Sequence, residues 1–308
     1  MTKYISIMVM VFVLTTMQAH AGISKMIGKV NNSYNFWFYE PDSISSECSI
    51  TTPENADPEF NPPPGNSVSE DYFPIMIDTL SSEQQIANEF AGNGYISNDA
   101  KPLVVFLHGR SLCGNDLNRV MKYGTMHAIK RGLELDAYAI APQNPGTAWN
   151  PDKIMAIIDW VAERYPIDTN RVYVLGMSLG GYGTIDFAAA YPDRVAAAIA
   201  MCGGGSRKDL SGLNQVPLWI LHGTADAAVS VNESRKVKNK MEEAGDTPLL
   251  RYEEWQGVDH GTYARMFYHP DTYKWLFKHN LQNRQVDRTI TITRDDLKNV
   301  YRLTRQKK

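Results

Sequence analysis

The chain has 308 residues, is 43% hydrophobic and 21% charged, and carries 31 Lys+Arg against 34 Asp+Glu for a formal charge of −3. That composition can fill a sizeable core, and it excludes collagen-like, coiled-coil and wholly disordered chains. The weakly acidic balance supplies no general attraction to nucleic acid or anionic lipid.

Residues 1–21 read as an export signal. Lys3 gives the positive start, and Ile5–Leu14 is an almost unbroken apolar run, short for a bilayer span. Ala19-His20-Ala21 fits the small-x-small cleavage rule, with an uncleaved anchor as the alternative. Cleavage near Ala21 removes Lys3 and no acid, leaves a charge of −4, and sends the chain to the periplasm or outside the cell. No Cys lies near the cut, which argues against a lipid-modified N-terminus, and no later stretch is apolar enough for stable membrane insertion.

Residues 22–41 contain a first strand, Asn35–Tyr39. Residues 42–100 then hold eleven acids, no Lys or Arg, and the loop signal Asn61-Pro-Pro-Pro-Gly65. This acidic insertion between early strands reads as a solvated surface excursion. A cap over the active site and a calcium site are the alternatives, although no EF-hand-like ligand spacing is present.

From 101 to 281 the pattern alternates. Strands are expected at Pro102–Leu107, Ala137–Ala141, Val172–Leu175, Val195–Met201, Leu218–Leu221 and Leu249–Tyr252. Helical spacing occurs over residues 116–132, Ile154–Ala162, Tyr182–Tyr191, Val231–Ala244 and within Thr262–Lys278. Continuous apolar strands alternating with helices predict an α/β fold, a doubly wound, mostly parallel sheet covered on both faces. Residues 282–308 form a basic C-terminal tail, with eight bases from Arg284 onward against Asp287, Asp295 and Asp296. Within it Thr289–Thr293 alternates like a strand, and the tail could fold back on the acidic insertion.

The sharpest motif is Gly176-Met-Ser178-Leu-Gly180-Gly181, between a predicted strand and a predicted helix. G-x-S-x-G alone is weak, but a serine on a tight strand-to-helix turn projects its hydroxyl above the sheet. Serine is a poor nucleophile at neutral pH and needs a base held by an acid, which in this architecture follow it in the order acid, histidine. Asp226 follows the strand Leu218–Leu221, and His260 follows Leu249–Tyr252. Asp259 is the alternative acid, disfavoured because it adjoins His260. His108 ends the Leu103–Leu107 run, His222 precedes the turn and reads as buried, and His127, His269 and His279 fall in helical regions. The backbone N–H of Leu179 and that of Arg110, with Ser111 as alternative, are the candidate oxyanion donors. Losing one such donor costs about 2.7–4 kcal/mol of transition-state stabilisation; because the donor is backbone, Arg110→Ala costs less.

Residues 101–281 resemble the α/β-hydrolase fold, through FLHGRSLCGND, YVLGMSLGGYGT, PLWILHGTADAAV and GVDHG in that order. Within it they are similar to serine esterases of the phospholipase/carboxylesterase, polyhydroxybutyrate-depolymerase-like and feruloyl-esterase-like groups. The resemblance implies a Ser178/Asp226/His260 triad, ester hydrolysis through an acyl-enzyme, and no metal or organic cofactor. The acidic insertion, Cys113 in the oxyanion loop and the basic tail depart from it. Trp149, Tyr263 and Trp255 are candidate pocket walls for a flat acyl group or a sugar face, with core packing as the alternative. Cys48, Cys113 and Cys202 match no zinc spacing; a Cys113–Cys202 bridge is one reading and a buried apolar thiol the other. The expected partner is a small-molecule or polysaccharide-linked ester. Feruloyl or acetyl esters on plant polysaccharide lead, then hydroxyalkanoate polyesters or lipids, then a catalytically silent binding protein on the same scaffold.

Overall fold

In the computed structural model, which describes residues 22–41 and 100–303, eight strands form one sheet in the order β1-β2-β4-β3-β5-β6-β7-β8. They are β1 (Gly22–Met26), β2 (Phe36–Glu40), β3 (Lys101–Leu107), β4 (Tyr138–Pro142), β5 (Ile167–Met177), β6 (Ala197–Met201), β7 (Leu218–Gly223) and β8 (Leu250–Trp255). Strand β2 runs antiparallel to β1 and β4, and the other pairings are parallel. The carboxyl ends of β3 to β8 therefore share one edge of the sheet. This is the doubly wound α/β architecture that the strand–helix alternation predicts. The readings of residues 1–21, of Cys48 and of nearly all the acidic insertion (residues 42–99) lie outside the described residues.

The period of two along β3 divides the core. Leu103, Val105 and Leu107 pack on one face with helices α2 (Pro151–Ala162), α3 (Leu179–Ala190) and α4 (Asn232–Ala244). Val104 and Phe106 pack on the other with α1 (Thr125–Lys130) and α5 (Pro270–Phe277). Both faces of β3 are apolar because both are covered. Helix α2 starts where Asn150 accepts from the N–H groups of Asp152 (2.9 Å) and Lys153 (3.2 Å) and Pro151 takes the first helical position.

Two local expectations are corrected. Residues 116–132 do not form one helix. A 3-10 segment, Leu117–Lys122, ends before Gly124, and α1 starts after it. Gly124 has φ +95°, and a Cβ there would lie 2.1 Å from the Phe106 ring, so the chain must turn where the apolar spacing continues. Thr289–Thr293 is not a strand. Ile292 is buried and Ile290 packs beside it against the core, while Thr293 opens α6 (Arg294–Lys298) with a capping box to Asp296. Ile292, Leu297 and Val300 of the tail are buried in the core. Strand β1 was not foreseen. It is a mostly exposed edge strand whose apolar residues are too sparse to signal it. No helix of the described residues is long and apolar enough to cross a membrane.

Candidate active site

Ser178 stands between β5 and α3 with φ 60° and ψ −124°, a left-handed backbone that a residue with a Cβ rarely adopts. Its N–H donates to the Met201 carbonyl at the end of β6 (2.9 Å), which fixes the turn. The surrounding glycines allow strand and helix to meet. A Cβ on Gly180 would lie 1.9 Å from the Leu107 carbonyl oxygen, and one on Gly181 2.5 Å from that of Met201. Ser178 sits at the N-terminus of α3, where negative charge is favoured.

The loop after β3 reaches the same point. A Cβ on Gly109 would lie 3.4 Å from the Ser178 Cβ. The Gly109 N–H donates to the Tyr123 hydroxyl (3.0 Å), and Arg119 donates to the Ser111 carbonyl (2.9 Å). Arg110 and Leu179 each open a helical segment, and neither N–H donates to another described backbone group. His108 is buried, with Nδ1 against the Gly109 carbonyl (2.8 Å) and Nε2 accepting from the Asn144 N–H (3.0 Å). Both ring nitrogens are thus engaged with the backbone.

Asp226 and His260 come together from the ends of β7 and β8. The Thr224 N–H donates to Trp255 O (3.1 Å), Ala225 N–H to Val258 O (3.1 Å), and Gly257 N–H to the Thr224 hydroxyl (2.9 Å). A Cβ on Gly223 would lie 2.0 Å from the Val258 carbonyl oxygen, so only glycine lets the two loops close. His260 Nδ1 then donates to Asp226 Oδ2 at 2.6 Å. The Asp226 side chain is fully buried, and its Oδ1 accepts from the N–H groups of Ala228 and Val229, both at 2.8 Å. Burial works to raise its pKa, but the Val229 N–H, His260 and the Ala228 N–H outweigh it and hold the carboxyl below its ordinary range. Asp259 instead caps the following 3-10 segment, accepting from the Thr262 N–H (2.9 Å) and hydroxyl (2.8 Å). The Ser178 hydroxyl makes no hydrogen bond to His260 among the described residues; the bonded part of the constellation is Asp226–His260.

Two of the three aromatic candidates are buried. Trp149 is buried, edge-on to His108 and Tyr34, in a slot that Gly183 leaves open: a Cβ on Gly183 would lie 2.5 Å from its ring. Tyr263 is fully buried with its ring tilted over Trp255 (5.1 Å between centroids). Trp255 keeps part of its surface in solvent and donates to Glu253 (3.1 Å).

Cys113 and Cys202 are not joined to each other. Cys202 is buried in the hydrophobic core, the buried thiol of the second reading, and it also faces the acid. Its sulfur lies within 4.8 Å of ligand atoms of Asp226 and His260. Burial first, and Asp226 second, push its pKa up, so it stays a thiol. A metal held by these three groups would need the thiolate and would have to displace the short Asp226–His260 bond, so the donor set fits a hydrogen-bonded cluster better than a metal centre. One neighbour of the acid escaped the sequence reading. His222 Nε2 lies 3.2 Å from the Asp226 oxygen that also receives His260. The four-residue spacing across the turn HGTAD was its only signal.

The dienelactone hydrolase family model matches residues 140–271. The chain is 34% identical to acetylxylan esterase A of Emericella nidulans over 103 residues, covering 26% of this chain and 34% of that protein. It is 26% identical over 127 residues to a probable acetylxylan esterase A of Aspergillus clavatus, covering 41% of each. The chain thus spans about a third of the length of the curated relatives it matches. Among solved structures, S-formylglutathione hydrolase of Staphylococcus aureus superposes with a TM-score of 0.52 at 17% identity, over 83% of this chain and 96% of that one, a likeness of fold.

Proposed function

We propose that this chain, an enzyme of the α/β-hydrolase superfamily, cleaves carboxylic esters through an acyl-enzyme on Ser178. The observation that carries the reading is the strained Ser178 turn on the same sheet edge as the 2.6 Å Asp226–His260 bond. Because Nδ1 of His260 carries the ring proton and donates it in the hydrogen bond to Asp226, Nε2 keeps the lone pair needed for a base. Substrate binding brings Ser178 Oγ within reach of that nitrogen; such bonds are often long before the substrate is in place. His260 takes the hydroxyl proton as Oγ attacks the ester carbonyl. The N–H groups of Leu179 and Arg110 receive the oxyanion, and His260 then protonates the leaving alcohol. Water, deprotonated by His260, attacks the acyl carbonyl and releases acid and free Ser178. Asp226 orients the imidazole and stabilises its cationic form throughout.

For the substrate, we infer acetyl esters on plant polysaccharide, with feruloyl esters next. The likeness to acetylxylan esterases over a quarter to two-fifths of the chain supports this order. An export signal at residues 1–21 fits a polymer the cell cannot take up, and the N-terminal residue of the mature protein tests it: Gly22 or a near neighbour is expected.

A fluorophosphonate probe should label the parent chain and not Ser178→Ala. The variant should lose ester hydrolysis by about a million-fold with its circular dichroism unchanged. A Ser178→Ala protein that keeps most of its activity would refute the nucleophile. Acetate release from acetylated xylan, run beside methyl ferulate and p-nitrophenyl acyl esters of increasing length, ranks the acyl groups. A preference for long chains would move the reading to lipids or polyesters.

A further inference from the structure

We propose that His222 is a positioning residue for Asp226, holding the carboxylate in the orientation that His260 requires and being held in turn by helix α4. The proposal rests on the triad reading above. His222 ends in a fully buried side chain whose two nitrogens face different elements. Nε2 lies 3.0 Å from the Val229 carbonyl and 3.2 Å from Asp226 Oδ2. Nδ1 lies 2.7 Å from the Ser234 hydroxyl on α4, which is also 2.8 Å from the Gly203 carbonyl after β6. Both partners of Nε2 only accept, so the ring proton is on Nε2. Burial holds the imidazole below its usual pKa, the ring is neutral, and Nδ1 and the Gly203 carbonyl share the Ser234 proton.

The Asp226 carboxylate is therefore gripped on both oxygens. Oδ1 takes two backbone N–H groups, and Oδ2 takes His260 at 2.6 Å and His222 at 3.2 Å. A histidine that served only the core would be satisfied by Val229 and Ser234 alone. The bond to the acid adds a constraint on its rotation and withdraws some of its charge from His260. The other ionisable groups near this pair are Glu233 on α4, bonded to Lys236, Glu254 on β8, bonded to Arg235, Cys202 and Tyr263 beside the acid, and Asp259 at the His260 turn. The two glutamates are each paired with their own cation, so the imidazoles of His222 and His260 are the side chains bonded to the Asp226 carboxylate.

The test is the pH dependence of kcat/KM for p-nitrophenyl acetate. In His222→Asn the amide can replace Nδ1 toward Ser234 but falls short of Asp226; in His222→Gln it can replace Nε2. His222→Asn should lower kcat/KM about 10- to 100-fold, the worth of a hydrogen bond to a charged group. It should also move the acidic limb to higher pH, because a less solvated Asp226 favours the imidazolium of His260. His222→Gln should keep the parental limb, and Ser234→Ala, which loosens the ring, should shift it the same way by less. An unmoved limb in His222→Asn and Ser234→Ala, whatever the rate, makes His222 a plain core residue and overturns the proposal; so does an equal shift in His222→Gln. If His222→Asn does not fold, Ser234→Ala decides alone. Failure of the underlying reading is separate, since the parent chain would then escape the fluorophosphonate probe.

Discussion

A buried imidazole makes the fold sensitive to acid. Burial pushes His108 down to about 4, more than its bond to the Gly109 carbonyl can offset, with Arg119 adding to the depression. In the unfolded chain the same ring takes a proton near pH 6.5. Between pH 6.5 and 4 the unfolded state thus binds one proton more than the folded state. The stability tied to His108 is complete above pH 6.5 and falls by about 3 kcal/mol as the pH drops to 4. Urea unfolding at pH 7 and pH 4.5 should show the loss. His108→Gln, whose amide can still accept from the Asn144 N–H, should show a smaller one. The two acids beside the proposed base can also be told apart. Asp226→Asn should reduce kcat by about 10,000-fold, while Asp259→Asn, still able to cap its turn, should stay within severalfold. The Ser178 turn and the Asp226–His260 pair were legible because each residue stands in a short motif at a strand end. Trp149 and Tyr263 stand at comparable places, where the sequence leaves pocket wall and core packing both open, and both side chains are buried. Which way an aromatic ring turns depends on the slot opposite it, and the slot for Trp149 is made by Gly183, 34 residues further along the chain.

Elements meet at this site only where a side chain is missing. Gly223 is the clearest case: a methyl group there would press on the Val258 carbonyl and push the His260 loop from the end of β7. Gly223→Ala should lower kcat/KM about 100-fold through misplacement of His260, as for a displacement of about 1 Å. Fluorophosphonate labelling should slow in parallel, while the circular dichroism of the sheet persists. Unchanged kinetics would mean that the loops have slack the close approach does not suggest. The same physics explains where reading elements from sequence fell short. Apolar spacing reports which residues are buried and not whether the backbone continues. Residues 117–129 keep a helical rhythm across a break that Gly124 and the Phe106 ring impose together. Thr289-Ile-Thr-Ile-Thr293 keeps a strand's alternation because Ile290 and Ile292 pack against the core, although none of the described strands pairs with it.

On the scale of the whole molecule the strand–helix alternation made the doubly wound sheet legible. It carried no information on how the C-terminal segment closes the outer strand. That segment lies beside β8. Arg251 donates to the Ile290 carbonyl (2.6 Å), Arg288 to that of Leu250 (3.0 Å), and Trp275 Nε1 to that of Asp287 (2.9 Å). Ile292, Leu297 and Val300 enter the core that holds Tyr273 and Trp275. An outer strand left bare offers unpaired backbone groups to other chains, and the segment covers this one. Removing a large buried apolar side chain costs about 2–5 kcal/mol, so the loss of three approaches the 5–15 kcal/mol that holds an ordinary domain folded. A chain ending at Gln282 should therefore melt at least about 10 °C below the full chain and aggregate at lower protein concentration. Light scattering during the melt separates the two effects. If exposure of β8 matters, aggregation precedes unfolding; if only core volume is lost, it follows. An unchanged melting temperature would show that the segment decorates the hydrolase body without supporting it.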